Sequence, residues 1–277
     1  VRDLWPESAI DTGVLKNKLI IKLAFWFEKF IYEEAKLINV LTPAFRDKLI
    51  TDKKVPNEKI IFIPNAADFS LAEKIQNDYS FDSIKFKKEL GFENKFVITY
   101  VGAHGLANHL IQLIDAAEKL QNSNILFQLI GSGMRKKFLQ EEVLKRNLKN
   151  VVFREPVPKL EIFKYILASD VGTSVLKNIE TFKTIYSNKT FDYMSCKKPI
   201  LLVIDGISRD LIETAKCGIY AEPENYLDIA NRCKEMSDLA KNDLYKMGLN
   251  GYNHAKESFD RLRLSKKYLE EIKAIVN

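Results

Sequence analysis

The sequence of 277 residues predicts a doubly wound α/β fold, a parallel sheet with helices on both faces. Two observations carry that expectation. From residue 96 onward, apolar runs of strand length alternate with longer stretches of helical period. The strand runs are apolar throughout rather than alternating, as strands covered on both faces are. A strand–helix–strand order of this kind closes into a parallel sheet with helical crossovers.

The chain opens on Val1-Arg2-Asp3-Leu4-Trp5-Pro6-Glu7-Ser8. Charged groups surround a Trp-Pro pair, and residues 1–12 read as a strand end and a loop. A long helix is expected over 14–36. Leu19, Ile20, Leu23, Phe27, Phe30 and Ile31 give it a wide apolar face, and Lys22, Lys29 and Lys36 recur every seven residues beside it. A helix of that design can lie on an anionic membrane surface. Wide apolar faces more commonly pack into their own domain, and packing is the expectation here. The lysines interrupt every run of about twenty residues, so the helix does not span a bilayer. A strand over 37–41, a helix over 44–51 and a strand over 59–64 follow. They end at Asn65-Ala66-Ala67-Asp68, which reads as a hinge.

Residues 69–94 are mixed and charged, with a helix at 84–90. The regular alternation then begins. Strands are expected at 96–101, 125–130, 151–153, 171–176, 199–204 and 218–221. Helices lie between them at 106–121, 135–146, 160–168, 188–195 and 208–215. Helices at 227–239, 242–256 and 259–275 close the chain. No internal repeat or low-complexity tract interrupts it.

Hydrophobic residues make up 46% and charged residues 29% of the sequence, the balance of a soluble globular protein. The net charge of +6 comes from 43 basic and 37 acidic residues. That dispersed excess favours anionic partners such as phosphates or an acidic membrane surface, and it does not point to nucleic acid. Cys196, Cys217 and Cys233 form an odd set without metal spacing, which reads as buried thiols in a cytosolic setting. His104, His109 and His254 are too scattered for a metal site. The chain starts without methionine on what reads as the middle of a domain, so a fragment of a longer protein is expected.

In an open parallel sheet, ligands bind outside the carboxyl ends of the strands, so the loops after each strand hold the candidates. The first is Gly102-Ala103-His104-Gly105-Leu106-Ala107-Asn108, whose glycines before a helix let the backbone approach a phosphate. His104 could donate to that phosphate. The second is Gly131-Ser132-Gly133, again before a helix. The third is Arg154-Glu155-Pro156-Val157-Pro158, an extended piece that can offer backbone groups to a base edge and Arg154 for stacking or charge. The fourth loop ends at Ser187-Asn188-Lys189. Ser187 is a plausible helix N-cap. Lys189 then sits in the first turn, where a cation opposes the helix dipole. An anion at the helix N-terminus, countered by Lys189, removes the conflict. Asp192, three residues on, shares the face of Lys189 and can hold sugar hydroxyls. A complete Gly-x-Gly-x-x-Gly with a downstream acid is absent, as are a P-loop and a Ser-His-Asp set. These absences disfavour nicotinamide, nucleotide-hydrolase and serine-hydrolase chemistry.

Read together, these pieces resemble the GT-B retaining glycosyltransferases of family four, in the bacterial O-antigen and capsule branch that includes the fucosamine-type transferases. The matching pieces run in order: Val1 to Ser8, Ile63-Pro64-Asn65 with Asp68, and Tyr100-Val101-Gly102 with Gly105-Leu106-Ala107. They continue with Leu129-Ile130-Gly131-Ser132-Gly133, Asn150-Val151-Val152-Phe153, Ser169-Asp170-Val171-Gly172, Ser187-Asn188-Lys189 and Phe191-Asp192-Tyr193-Met194. The resemblance implies a GT-B architecture, with a doubly wound nucleotide domain and the end of a second Rossmann-like domain. Residues 1–67 would belong to the acceptor-side domain and 68–256 to the donor domain. Residues 257–277 would form a helix packing back toward the first domain.

By position, Asp192 matches the ribose-holding second acid of the family's Glu-x7-Glu motif. Lys189, Ser187 and Asn188 match the diphosphate-binding end, and Gly102 and Gly105 the phosphate-facing loop. Gly131 belongs to the same rim, and Arg154 to Val157 match the base-reading segment. Arg2 and Asp3 match a segment lining the acceptor side, which makes Asp3 and Lys189 the catalytic candidates. The chain departs from the pattern in three places. The first acid falls on Thr184, which leaves Glu180 as a substitute. Ala103 and Asn108 stand where the branch has Asn and Gln. The phosphate-binding Arg/Lys pair is absent, leaving His104 and Lys189 as the positive groups.

The implied reaction moves a sugar, an N-acetylated deoxyhexosamine, from a UDP-sugar to a lipid-linked saccharide acceptor. It needs no cofactor or metal, and its place is the cytoplasm or the inner face of the plasma membrane. The alternatives are a nucleotide-sugar epimerase of the same fold and a nucleotide-binding module without turnover.

Overall fold

The computed structural model describes residues 1–276; Asn277, the last residue of the expected 257–277 segment, lies outside the described residues. The first unit begins with a short helix, α1 (Glu7–Asp11), where the sequence reads as loop. Pro6, with its fixed φ, precedes it and Glu7 stands in its first turn, an arrangement that favours helix initiation. The long helix α2 (Lys18–Glu34) starts where Asn17 accepts the N–H groups of Leu19 (2.9 Å) and Ile20 (3.3 Å).

Within the described residues the apolar face of α2 has no packing partner. Only Ala24 and Glu28 are buried along it, while Leu19, Ile20, Leu23, Trp26, Phe27, Phe30 and Ile31 are exposed. The helix is held from its narrower polar side: Lys53 makes ion pairs with Glu28 (2.7 Å) and Glu7.

Strands β1 (Ile38–Val40) and β2 (Ile60–Phe62) pair in parallel, with Ile38 opposite Ile60. Between them lies α3 (Pro43–Thr51), capped by the Thr42 hydroxyl, which accepts the Phe45 N–H (3.1 Å). The Thr42 hydroxyl also donates to the Thr184 carbonyl (2.7 Å), tying the first unit to the second. Leu4, Ile38, Val40, Phe45, Leu49, Val55 and Ile60 make the core of this unit.

Two helices follow, α4 (Phe69–Gln76) and α5 (Ser83–Glu89). Helix α4, not expected from the sequence, is only eight residues long and buries Phe69, Ala72 and Ile75 at three-residue spacing. The second unit then alternates strand and helix: β3 (Phe96–Val101), α6 (Ile111–Lys119), β4 (Ile125–Ile130), α7 (Lys136–Lys145), β5 (Val151–Arg154), α8 (Lys159–Ala168) and β6 (Val171–Val175). After a 3-10 turn (Glu180–Thr184) come α9 (Asn188–Ser195), β7 (Ile200–Val203), α10 (Ile207–Ala215), β8 (Gly218–Tyr220), α11 (Tyr226–Asp238), α12 (Lys241–Ser258) and α13 (Arg261–Val276).

All six strands of this sheet are parallel, in the order β5-β4-β3-β6-β7-β8. The chain order therefore reverses between β3 and β6, and a crevice opens there beyond the strand ends. Separate apolar clusters cover the two faces of the sheet. One holds Leu113, Ile114 and Ile229, the other Phe163, Phe191 and Ile212. Asp170 anchors the start of β6, accepting from the Val97 N–H (2.7 Å) and the Lys87 ammonium (2.6 Å).

The expected helix from residue 106 begins five residues later. His109 adopts φ +45, a left-handed conformation that breaks a helix. The loop before it is tied elsewhere, with the Ala107 carbonyl accepting the Lys177 N–H (2.8 Å). At the end of α12 the chain returns to residues 62–68. The Ala67 N–H donates to the Phe259 carbonyl (2.9 Å), Arg261 pairs with Asp68 (2.6 Å), and Lys267 reaches the Phe62 carbonyl (3.5 Å).

Candidate functional site

The rim of the sheet is built where β3 and β6 part. Backbone pairing between them ends at Tyr100 and Thr173. One residue on, the Tyr193 hydroxyl takes over: it accepts the Val101 N–H (3.1 Å) and donates to the Thr173 carbonyl (3.0 Å). Its ring lies on Gly172, where an added Cβ would come within 2.3 Å of Tyr193. Farther along, the Ser174 hydroxyl is hydrogen-bonded to Thr190 (3.1 Å) and Ser187 (3.3 Å). Helix α9 is thus clamped along β6 with its N-terminus at the crevice.

Ser187 occupies the N-cap position of α9, yet its side chain makes no cap hydrogen bond. That corrects the expectation of a hydroxyl cap, since the hydroxyl is used by Ser174. The Thr190 N–H is taken by the Ser187 carbonyl. Among the described residues the N–H groups of Asn188 and Lys189 have no acceptor.

The Lys189 side chain runs back beneath the glycine loop. A Cβ on Gly102 would lie 2.5 Å from Lys189 Cε, and Lys189 Nζ stands 5.0 Å above the Tyr100 ring. Gly102 has φ +144, which glycine tolerates and other residues rarely adopt. Burial pulls the Lys189 ammonium down to about 8, against the opposing pull of Asp192. Asp192 itself is pushed above the usual carboxylate range by burial, with Lys159 restraining the rise. Lys159 Nζ lies 3.3 Å from Asp192 Oδ1. Asp68 and Arg261, paired with each other, also act on this carboxyl through charge.

A cavity of about 450 Å³ lies at this rim, lined by Gly102, Gly131, Pro156, Val157, Lys159 and Asp192 among others. Five of the expected residues therefore converge: Gly102, Gly131, Val157, Lys189 and Asp192. Gly131 fits only as glycine, because a Cβ there would meet the Gly102 carbonyl at 1.9 Å. Asn188 is exposed on the first turn of α9. Gly105 and Asn108 lie on the far arm of the glycine loop, with the Asn108 side chain folded against Gly105.

Other expectations need correction. His104 cannot serve as a positive group. It is fully buried between the glycine loops, beside Tyr100 and Phe153, with neither ring nitrogen hydrogen-bonded. Burial, reinforced by Lys136, lowers its pKa to about 4. The Arg154 side chain is engaged elsewhere: its Nε donates to Gln128 (2.7 Å), and its guanidinium packs between the rings of Phe92 and Tyr165. The cavity wall at this place is Pro156 and Val157. Glu180 is no substitute for the missing acid, since it is exposed and paired with Lys183 (2.6 Å). Thr184 is buried and donates to the Thr181 carbonyl (2.7 Å). Asp3 is exposed and contributes to neither cavity flanking the glycine loop.

Two residues at the rim, Lys159 and Tyr193, are not among the expected ones. Lys159 carried a usable signal: it is a cation in the first turn of a helix, the same conflict with the dipole that singles out Lys189. Among the described residues there is no group of three or more His, Cys, Asp or Glu side chains able to hold a metal ion.

Residues 82–254 match the family described as Glycosyl transferases group 1. Over 156 residues the chain is 27% identical to the putative colanic acid biosynthesis glycosyl transferase WcaI of Escherichia coli (strain K12). That similarity covers 55% of this chain and 38% of the E. coli protein, so the chain spans well under half of that relative. Among solved structures, Anabaena HepE in complex with UDP has a TM-score of 0.80 at 17% identity, covering 99% of this chain and 71% of HepE. WaaG, a glycosyltransferase involved in lipopolysaccharide biosynthesis, has a TM-score of 0.72 at 15% identity, covering 92% of this chain and 68% of its own. Both structures share the GT-B fold with this chain.

The burial of His104 has a pH consequence. Its folded pKa of about 4 lies below the ordinary value of 6.5, so the unfolded chain binds more protons between those values. Stability therefore falls as pH drops through that window, by about 1–3 kcal/mol at its lower end. Urea unfolding at pH 7 and pH 4.5 reads the loss, and His104→Gln makes the slope shallower. An equal slope in the variant contradicts the assignment.

Proposed function

The chain belongs to the group 1 glycosyl transferases, and on that premise we propose that it moves a sugar from a UDP-sugar to a lipid-linked saccharide acceptor, with retention at the anomeric carbon. The cell-surface polysaccharide setting is supported by the colanic acid biosynthesis name of the E. coli relative. UDP as the carrier is supported by the UDP held in the HepE structure. The resemblance to the fucosamine-type branch makes an N-acetylated deoxyhexosamine the proposed sugar.

One observation carries the reading. An ammonium, Lys189, is half-buried at the positive end of α9 against a glycine loop, and among the described residues it has no carboxylate within 4.0 Å. A diphosphate at that place resolves the arrangement. It accepts from the free N–H groups of Asn188 and Lys189, approaches the backbone at Gly102, and neutralises the Lys189 ammonium. The base then extends into the 450 Å³ cavity along Pro156 and Val157. Asp192 faces the ribose, with Lys159 holding one of its oxygens.

As the bond between the sugar and the diphosphate breaks, negative charge grows on the leaving group. The N–H groups and Lys189 are already aimed at that charge, and each such donor is worth about 10²–10³ in kcat. The chemistry asks for no metal, because the helix end and Lys189 do the neutralising. The acceptor attacks from the face the diphosphate leaves, which preserves the configuration without a protein nucleophile.

The exposed face of α2 fits the same reading. Its seven exposed apolar side chains and the neighbouring Lys18, Lys22 and Lys29 suit an anionic bilayer surface, where a lipid-linked acceptor resides. Flotation with vesicles containing phosphatidylglycerol is expected to carry the protein upward, and the double substitution Leu23→Glu/Trp26→Glu to abolish that. Equal flotation of both proteins contradicts this contact.

Calorimetry with UDP tests the donor site. Lys189→Ala is expected to weaken binding about tenfold or more through loss of a charge-assisted contact. Asp192→Ala is expected to cost about 1–2 kcal/mol. Binding to the unaltered protein weakens as pH rises through about 8, where Lys189 gives up its proton. Unchanged affinity in both variants contradicts the assignment.

A further inference from the structure

A second cavity lies on the other arm of the glycine loop. It measures about 230 Å³ and is lined by Thr12, Gly105, Leu106, His109, Arg135 and Lys177, with apolar residues beneath. That space equals about seven or eight water volumes, enough for a phosphate or diphosphate group. Gly102 and Ala103 line the nucleotide cavity, while Gly105 and Leu106 line this one. The loop is thus a partition between two compartments. Thr12, at the end of α1, closes the second compartment from the first unit.

Its electrostatics are one-sided. Among the described residues no carboxylate lines the cavity, while an arginine, a lysine and a histidine do. Among the described residues, neither Arg135 nor Lys177 has a carboxylate within 4.0 Å. Glu224 approaches only His109, at 3.9 Å from Nε2. Arg146, by contrast, which follows the last turn of α7, is held by Asp115, Glu118 and Glu142. Both cations are fixed to the partition through their backbones: the Arg135 N–H donates to the His104 carbonyl (2.9 Å) and the Lys177 N–H to the Ala107 carbonyl (2.8 Å). The Arg135 guanidinium rests 3.8 Å from the centre of the Phe138 ring, which restricts it further. Cations held in place without counter-charge form a site for an anion.

We propose that Arg135, Lys177 and His109 form an anion subsite, separate from the donor diphosphate site, that takes the phosphate group of the acceptor. This rests on the donor reading above, in which Lys189 and the N-terminus of α9 already satisfy both phosphates of the nucleotide. The remaining cations stand beyond the partition, on the side closed by the first unit. An acceptor joined to its lipid through phosphate carries negative charge close to the sugar that reacts. Gripping that charge beside the donor sugar would hold the acceptor hydroxyl in register.

Inorganic pyrophosphate, titrated into the protein saturated with UDP, is the probe. Binding is expected in the unaltered protein, weakening with added salt. It is expected to be about tenfold weaker or more in the double substitution Arg135→Gln/Lys177→Gln. The UDP affinity of that variant should stay within about twofold, which also reports that it is folded. Three results overturn the proposal: no pyrophosphate binding once UDP is bound, equal binding in the variant, or a parallel loss of UDP affinity, which would put these cations on the donor. Failure of UDP to bind the unaltered protein counts against the donor site instead. A titration without UDP then still decides the subsite, by whether the double substitution weakens it.

Discussion

The phenol of Tyr193 holds open the place where the sheet divides. Two parallel strands that simply diverged would leave the Val101 N–H and the Thr173 carbonyl without partners in a buried crevice, at a cost of about 1–3 kcal/mol each. One hydroxyl satisfies both. Because Tyr193 belongs to α9, the same two hydrogen bonds fix the height and rotation of that helix against β3 and β6. Gly172 makes this possible by leaving room for the ring. Lys189 lies one turn before Tyr193 and Asp192 immediately before it. The positions of the ammonium beneath the glycine loop and of the carboxylate at the cavity wall both follow from this clamp.

The clamp brings together groups whose charges are costly where they stand. Lys189 is held at the positive end of a helix, and burial lowers its pKa against the pull of Asp192. Asp192 is buried and its pKa rises, restrained by Lys159. Neither arrangement stabilises the folded chain by itself. In the proposed donor complex a diphosphate and a ribose hydroxyl would offset both penalties. The hydroxyls of Ser187 and Ser174 belong to the same design: by bonding to each other they leave the first N–H groups of α9 unsatisfied.

Much of this was legible in the sequence because it rests on local patterns. The apolar runs at 96–101 and 125–130 are the observed strands, and the helix read at 188–195 is α9 (Asn188–Ser195). Lys189 was visible as a cation misplaced in a first turn. What stayed hidden depends on contacts between distant residues. His104 looks like a phosphate ligand in its glycine loop, yet packing against Phe153, 49 positions away, leaves it neutral. Arg154 sits at the right loop, but Gln128, Phe92 and Tyr165 capture it. Helix α2 reads as a core helix by its period, and among the described residues its apolar side chains from Leu19 to Ile31 are exposed. The role of Tyr193 has no local signature at all.

The structure of the protein with UDP bound tests the central claim most directly. The account places the diphosphate between Gly102 and the first turn of α9, with Asn188 N–H, Lys189 N–H and the Lys189 ammonium within hydrogen-bond distance of its oxygens. The uracil should then lie along Pro156 and Val157. UDP found on another surface, or an empty crevice at millimolar nucleotide, would contradict it.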